Sequence, residues 1–111
     1  MFPGIVRRTL GWGDRMLIAE VTLAAGGQLA SHSHPHEQVG YVAQGRIELT
    51  LAAGSTADAS AGSTADASAS QTAVLVAGDS YTIPGGVTHS ATALEDSVVV
   101  DVFSPVRDEY K

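Results

Sequence analysis

Between residues 16 and 24 the chain reads Met-Leu-Ile-Ala-Glu-Val-Thr-Leu-Ala, with Leu17, Ala19, Val21 and Leu23 on one parity and Glu20 and Thr22 on the other. A period of two is the pattern of a strand with one face in a core. Shorter runs of the same kind at 39–43, 46–51, 72–76, 80–83 and 97–103 predict further strands. Gly26-Gly27, Gln44-Gly45, Gly78-Asp79 and Pro84-Gly85-Gly86 punctuate them as turns. No segment keeps an apolar 3.6-residue period over three turns, so helices are not expected. Many short strands between glycine turns predict an all-β sandwich or closed barrel, and closure also removes exposed edges.

One stretch breaks the pattern. Residues 53–60 read Ala-Gly-Ser-Thr-Ala-Asp-Ala-Ser, and 61–68 repeat them unchanged. Two short copies cannot build a solenoid, and small polar side chains bury too little apolar area to offset their ordering entropy. The expectation is a flexible hairpin tip over 53–71, joining the strand that ends near Leu51 to the one that starts near Thr72.

The last strand carries a chemical clue. In Ser97-Val-Val-Val-Asp-Val-Phe103, Val99, Asp101 and Phe103 share one face, and Val98, Val100 and Val102 share the other. Both faces are apolar enough to draw Asp101 into the interior. A buried carboxylate is costly unless it is paired, protonated or near a cation, so Asp101 is a candidate acid/base or a hydrogen-bond partner of a histidine. Arg107, just past the strand, has two readings: a fork onto a ligand carboxylate, or an ion pair with Asp108 or Glu109.

Length and charge narrow the function classes. With 111 residues and 44% hydrophobic positions, residues 1–111 make one domain with one core. The net charge is −6 and no basic cluster exceeds Arg7-Arg8, which argues against nucleic acid and anionic membranes as partners. No apolar leader and no run of about 18 apolar residues is present, so a soluble cytoplasmic protein is expected. Cysteine is absent, and any metal must be held by imidazole, carboxamide or carboxylate groups.

The four histidines fall in two places: His32, His34 and His36 in Ser-His-Ser-His-Pro-His-Glu-Gln38, and His89 after the Pro84-Gly85-Gly86 turn. On a strand, His32 and His34 project from one face and can chelate one ion. Gln38 and His89 are the candidate third and fourth ligands. His36 is expected beside the ion or at the surface, and Glu37, of opposite parity to Gln38, is expected to point away. Three imidazoles and a carboxamide leave the ion's charge uncancelled, favour an anionic ligand, and suit Mn, Fe, Co, Ni or Zn.

These residues resemble the cupin signatures: Gly26, His32-x-His34, Gln38 and Gly45 are similar to the first motif, and Gly78, Pro84-x-Gly86 and His89 to the second. Gln38 stands where many cupins have Glu, and Ala93 where the second motif often ends in Asn. The resemblance implies a jelly-roll barrel that holds one divalent metal through His32, His34, Gln38 and His89. Residues 32–45 and 94–110 are more narrowly similar to small cupins of the pectin degradation family. That likeness implies opening of 4,5-unsaturated monouronates, with Asp101 as acid/base and Phe103 and Arg107 lining the site of a small anionic substrate. The competing classes are an oxygen-using cupin and a ligand-binding module without catalysis. A homodimer is expected through Val98, Val100 and Val102, with Trp12 joining that surface.

Overall fold

The computed structural model describes residues 4–52, 58–59 and 71–111. Ten strands follow in chain order: β1 (Ile5–Trp12), β2 (Leu17–Leu23), β3 (Gln28–His32), β4 (Glu37–Gln44), β5 (Arg46–Leu51), β6 (Asp58–Ala59), β7 (Gln71–Val76), β8 (Ser80–Ile83), β9 (His89–Ala93) and β10 (Ser97–Ser104). A single 3₁₀ turn, Asp108–Tyr110, is the only helical element among the described residues. The strands form two antiparallel sheets, ordered β1-β2-β10-β4-β8-β6 and β3-β9-β5-β7. The expected hairpin tip over 53–71 lies outside the described residues, apart from Asp58–Ala59, which pair with β8, and Gln71, which opens β7.

Each strand anticipated from alternation is present, with ends displaced by no more than two residues. Besides the two-residue β6, three others are not visible as alternation, for reasons the structure supplies. In β1 the inward positions after Ile5 are Arg7, which turns toward a cavity, and Thr9, whose hydroxyl donates to the Tyr110 carbonyl, so neither adds to an apolar core. Strand β3 buries none of its residues fully, and β9 reads His-Ser-Ala-Thr-Ala, too small and polar to signal a strand.

The inward faces of both sheets meet in one core, in which Leu23, Val42, Leu51, Leu75 and Ile83 are almost wholly buried. Each such side chain contributes about 1.5–3 kcal/mol by leaving water. A smaller cluster of Leu17, Ala19 and Phe103 closes one end of the barrel, with Val106 and Tyr110 packed against it. Strand β10 runs between β2 and β4 and alternates buried and half-buried residues along its length, which draws Asp101 inward as expected.

Gly45 makes the tight β4–β5 turn. It holds φ +88°, and a Cβ there would collide with the Ser97 hydroxyl and the Asp96 carbonyl. Trp12 departs from expectation. A register shift between Thr9 and Gly11 sets it opposite the inward-facing Leu17, 5.9 Å from the Lys111 ammonium, and so away from the outward row of Val98, Val100 and Val102. The shift is a β-bulge, and one extra residue exchanges the faces of a strand.

Candidate metal centre

Strand pairing brings the two histidine groups together. His32 ends β3 and His89 begins β9, and the two are direct partners in that ladder. His34 lies two residues past the end of β3, and Gln38 is the second residue of β4. One ring nitrogen from each of His32, His34 and His89 lies within 4.8 Å of the others. Ring centroids are 4.4 Å apart for His32 and His89 and 5.0 Å for His34 and His89.

Backbone carbonyls fix the tautomers. The Nδ1 of His32 lies 2.8 Å from the Ala30 carbonyl, that of His34 3.0 Å from His36, and that of His89 2.8 Å from Val87. A carbonyl only accepts, so each Nδ1 carries the proton and each Nε2 keeps its lone pair. His34 Nε2 lies 3.1 Å from the side-chain oxygen of Gln38. Burial, aided by the charge of Arg107, lowers the pKa of His34, and burial pulls that of His89 down to about 4. Both rings are therefore neutral at pH 7. With His34 neutral, its lone pair and the Gln38 carbonyl oxygen face each other with no proton between them, an arrangement that a cation resolves. The donor set fits a divalent ion of the imidazole-preferring kind.

The neighbouring positions follow the sequence reading. Glu37 is exposed and points away. His36 is half-buried, outside the three-histidine group, with its carbonyl receiving the His34 proton. A backbone contact of this kind fixes the orientation of the His34 ring.

A cavity of about 250 Å³ opens beside these rings, lined by His32, Gln38, His89, Asp101, Phe103 and Arg107 among others. It lies just below the usual size range of small-molecule pockets, roughly 300–1,000 Å³, and so has room for a single small ring. Its wall also carries apolar residues, Val21, Leu29 and Leu49 among them. Phe103 stands edge-on to His34 at 5.6 Å. Arg107 lines the cavity, and its Nε donates to Glu109 at 2.8 Å, the ion pair that is one of its two readings.

The Asp101 carboxyl is buried in the cavity wall. Burial raises its pKa, while hydrogen bonds from Tyr81 and Gln38 pull it down. The Tyr81 hydroxyl donates to Asp101 Oδ1 at 2.5 Å. Burial, together with the neighbouring Asp101, holds the phenol pKa well above its ordinary value, so Tyr81 stays a donor.

Arg7, Tyr81 and Tyr110 line the cavity and were not among the sequence candidates. Tyr81 shares the inward parity of Ile83 on β8, and Arg7 that of Ile5 on β1. Tyr110 lies under two cations, with the Arg7 guanidinium 3.6 Å and the Arg107 guanidinium 4.0 Å from its ring centroid. Parity alone could have flagged Arg7 and Tyr81, whereas Tyr110 is placed by the fold of the C-terminal segment.

Comparison with known proteins agrees with this architecture. The cupin domain model matches residues 19–103. The pectin degradation protein KdgF of Dickeya dadantii is 28% identical over 109 residues, covering 96% of this chain and 84% of its own. The structure of KdgF from a Halomonas species superposes with a TM-score of 0.79 at 32% identity, covering 98% of this chain and 86% of that one. An RmlC-like cupin from Shewanella frigidimarina gives 0.76 at 26% identity, covering 97% and 82%.

Proposed function

The chain belongs to the cupin domain family, and from that premise we propose that it is a metal-dependent enzyme opening 4,5-unsaturated monouronates to linear keto acids. The observation that carries the reading is the buried carboxyl of Asp101 on the wall of a cavity that is also lined by Arg107 and by two of three converging imidazoles. Likeness to KdgF, a pectin degradation protein, supports the substrate class.

His32, His34, Gln38 and His89 hold one divalent ion of Mn, Fe, Co, Ni or Zn. A cation bound there supplies positive charge for substrate oxygens and for the oxyanion that develops as the ring opens. Asp101 handles the proton. It takes the proton of the anomeric hydroxyl as C1 becomes a carbonyl and the C1–O5 bond breaks. The O5–C5 bond becomes a second carbonyl, and the former alkene pair takes a proton at C4 from the same carboxyl. No atom is gained or lost. Burial prepares Asp101 for this role by bringing its pKa up toward the working range of an acid/base. Phe103 gives the sugar ring an apolar wall, and Arg107 at the mouth takes the uronate carboxylate.

The test combines metal content by elemental mass spectrometry with loss of the ultraviolet absorbance of the conjugated alkene. About one ion per chain is expected, absent from the His32→Ala, His89→Ala variant. The wild type should consume the unsaturated monouronate, and Asp101→Asn should keep its metal while kcat falls by about 100-fold or more. A metal-loaded wild type that leaves the substrate unchanged overturns the reading.

A further inference from the structure

Asp101 belongs to a row that crosses three strands. On β10 it is the register partner of Gly40 on β4, and Gly40 is in turn the partner of Tyr81 on β8. All three positions face inward. Tyr81 and Asp101 are therefore separated by a whole strand, and a side chain standing upright from β8 would not reach β10, since neighbouring strands are about 4.8 Å apart. The Tyr81 ring closes the gap by running across Gly40. A Cβ at position 40 would fall on Cε1, Cζ and the hydroxyl oxygen of Tyr81. Only glycine leaves that passage open, and Gly40 is not held at a positive φ, so conformational freedom is not why glycine stands there.

We infer that Tyr81 is a positioning residue for the Asp101 carboxyl and that Gly40 is the gap through which it acts. The inference rests on the reading of Asp101 as the acid/base. One carboxyl must exchange protons with two different substrate atoms, so its plane has to stay fixed while the ring opens beside it. Tyr81 fixes Oδ1 through the 2.5 Å bond. The carboxamide of Gln38 favours the charged form of the same carboxyl. Tyr81 is 4% exposed and Asp101 5%, so water does not compete for the bond. The phenol needs no contact with substrate for this task. Its effect passes through Asp101.

The experiment uses Tyr81→Phe, Gly40→Ala and the double variant in the metal-loaded protein, with turnover of the unsaturated monouronate and a crystal structure of Tyr81→Phe. Removing the hydroxyl should lower kcat by about ten-fold or more and leave KM within about two-fold, because only proton transfer is disturbed. Metal content should stay at the wild-type level. Gly40→Ala, which removes no polar group, should lower kcat similarly by pushing the ring off Asp101. The two losses should not multiply, since each breaks the same contact, and the double variant should match Tyr81→Phe to within about two-fold. In the Tyr81→Phe crystal the carboxyl should leave its wild-type rotamer or occupy more than one. An unchanged kcat with an unchanged rotamer overturns the inference, as do losses that multiply. If the wild type does not turn the substrate over, the functional reading falls, and the Asp101 rotamer in Tyr81→Phe alone decides the inference.

Discussion

At position 38 a carboxamide serves two neighbours of opposite need. Its oxygen faces the His34 lone pair at 3.1 Å, in the place proposed for a metal, and the side chain also favours the charged form of the Asp101 carboxyl. A glutamate would suit the metal at least as well, but it would lose the N–H and set a second negative charge against a buried carboxylate. Gln38→Glu should therefore retain its ion by elemental mass spectrometry while kcat falls by about ten-fold or more, an effect that a role confined to metal binding does not produce. A variant as active as the wild type would reduce Gln38 to a ligand. The sequence made the histidine group legible, because the pairing of His32 with His34 depends on a spacing within one segment. It did not reveal the partners of Asp101. Those depend on the register of β10 against β4 and of β4 against β8, which no local pattern encodes, and Gly40 reads along the chain as a mere interruption of a strand.

Among the elements, legibility follows what each strand buries. Strands β2, β5 and β10 alternate because one face meets the core, and their sequence announces them. Strands β1 and β9 turn Arg7 and His89 toward the cavity, so the residues that build the site are those that erase the alternation. The bulge in β1 has the same consequence for Trp12, whose face is set by one inserted residue and not by composition. Turns were easier to read, and Gly45 shows why. Its φ of +88° excludes other residues on conformational grounds, and the Ser97 hydroxyl, which accepts the Arg46 N–H at 3.0 Å, fills the space a Cβ would need. Gly45→Ala should consequently destabilise the protein by more than about 1 kcal/mol in chemical unfolding, with a lowered thermal midpoint. A variant as stable as the wild type would mean that the β4–β5 turn relaxes without strain.

For the whole molecule, β10 has two duties. Its inward residues Asp101 and Phe103 serve the cavity, while Val100 and Val102 lie half-buried on the outer face of the larger sheet. Register places Val102 between Ile18 and Val39, and Val100 beside Tyr41. Ile18, Val39 and Tyr41 are 38%, 44% and 49% exposed, and the half-exposed Arg8–Glu20 pair at 3.5 Å borders them. An apolar patch across the middle of a sheet, rimmed by charge, is the surface a two-fold dimer uses, because a flat face can meet its own copy. We propose that the protein is a homodimer through this face, with Trp12 excluded by its bulge. Val39→Lys with Val102→Lys places cations on the patch without entering the core. Light scattering coupled to size exclusion should give twice the chain mass for the wild type and the chain mass for the variant. A wild type at monomer mass across a dilution series would leave the outer face without that partner. Because Val102 and Asp101 are adjacent on one strand, a dimer also braces β10 from behind, and the paired-lysine variant should show a lower thermal midpoint than loss of two half-exposed valines explains on its own.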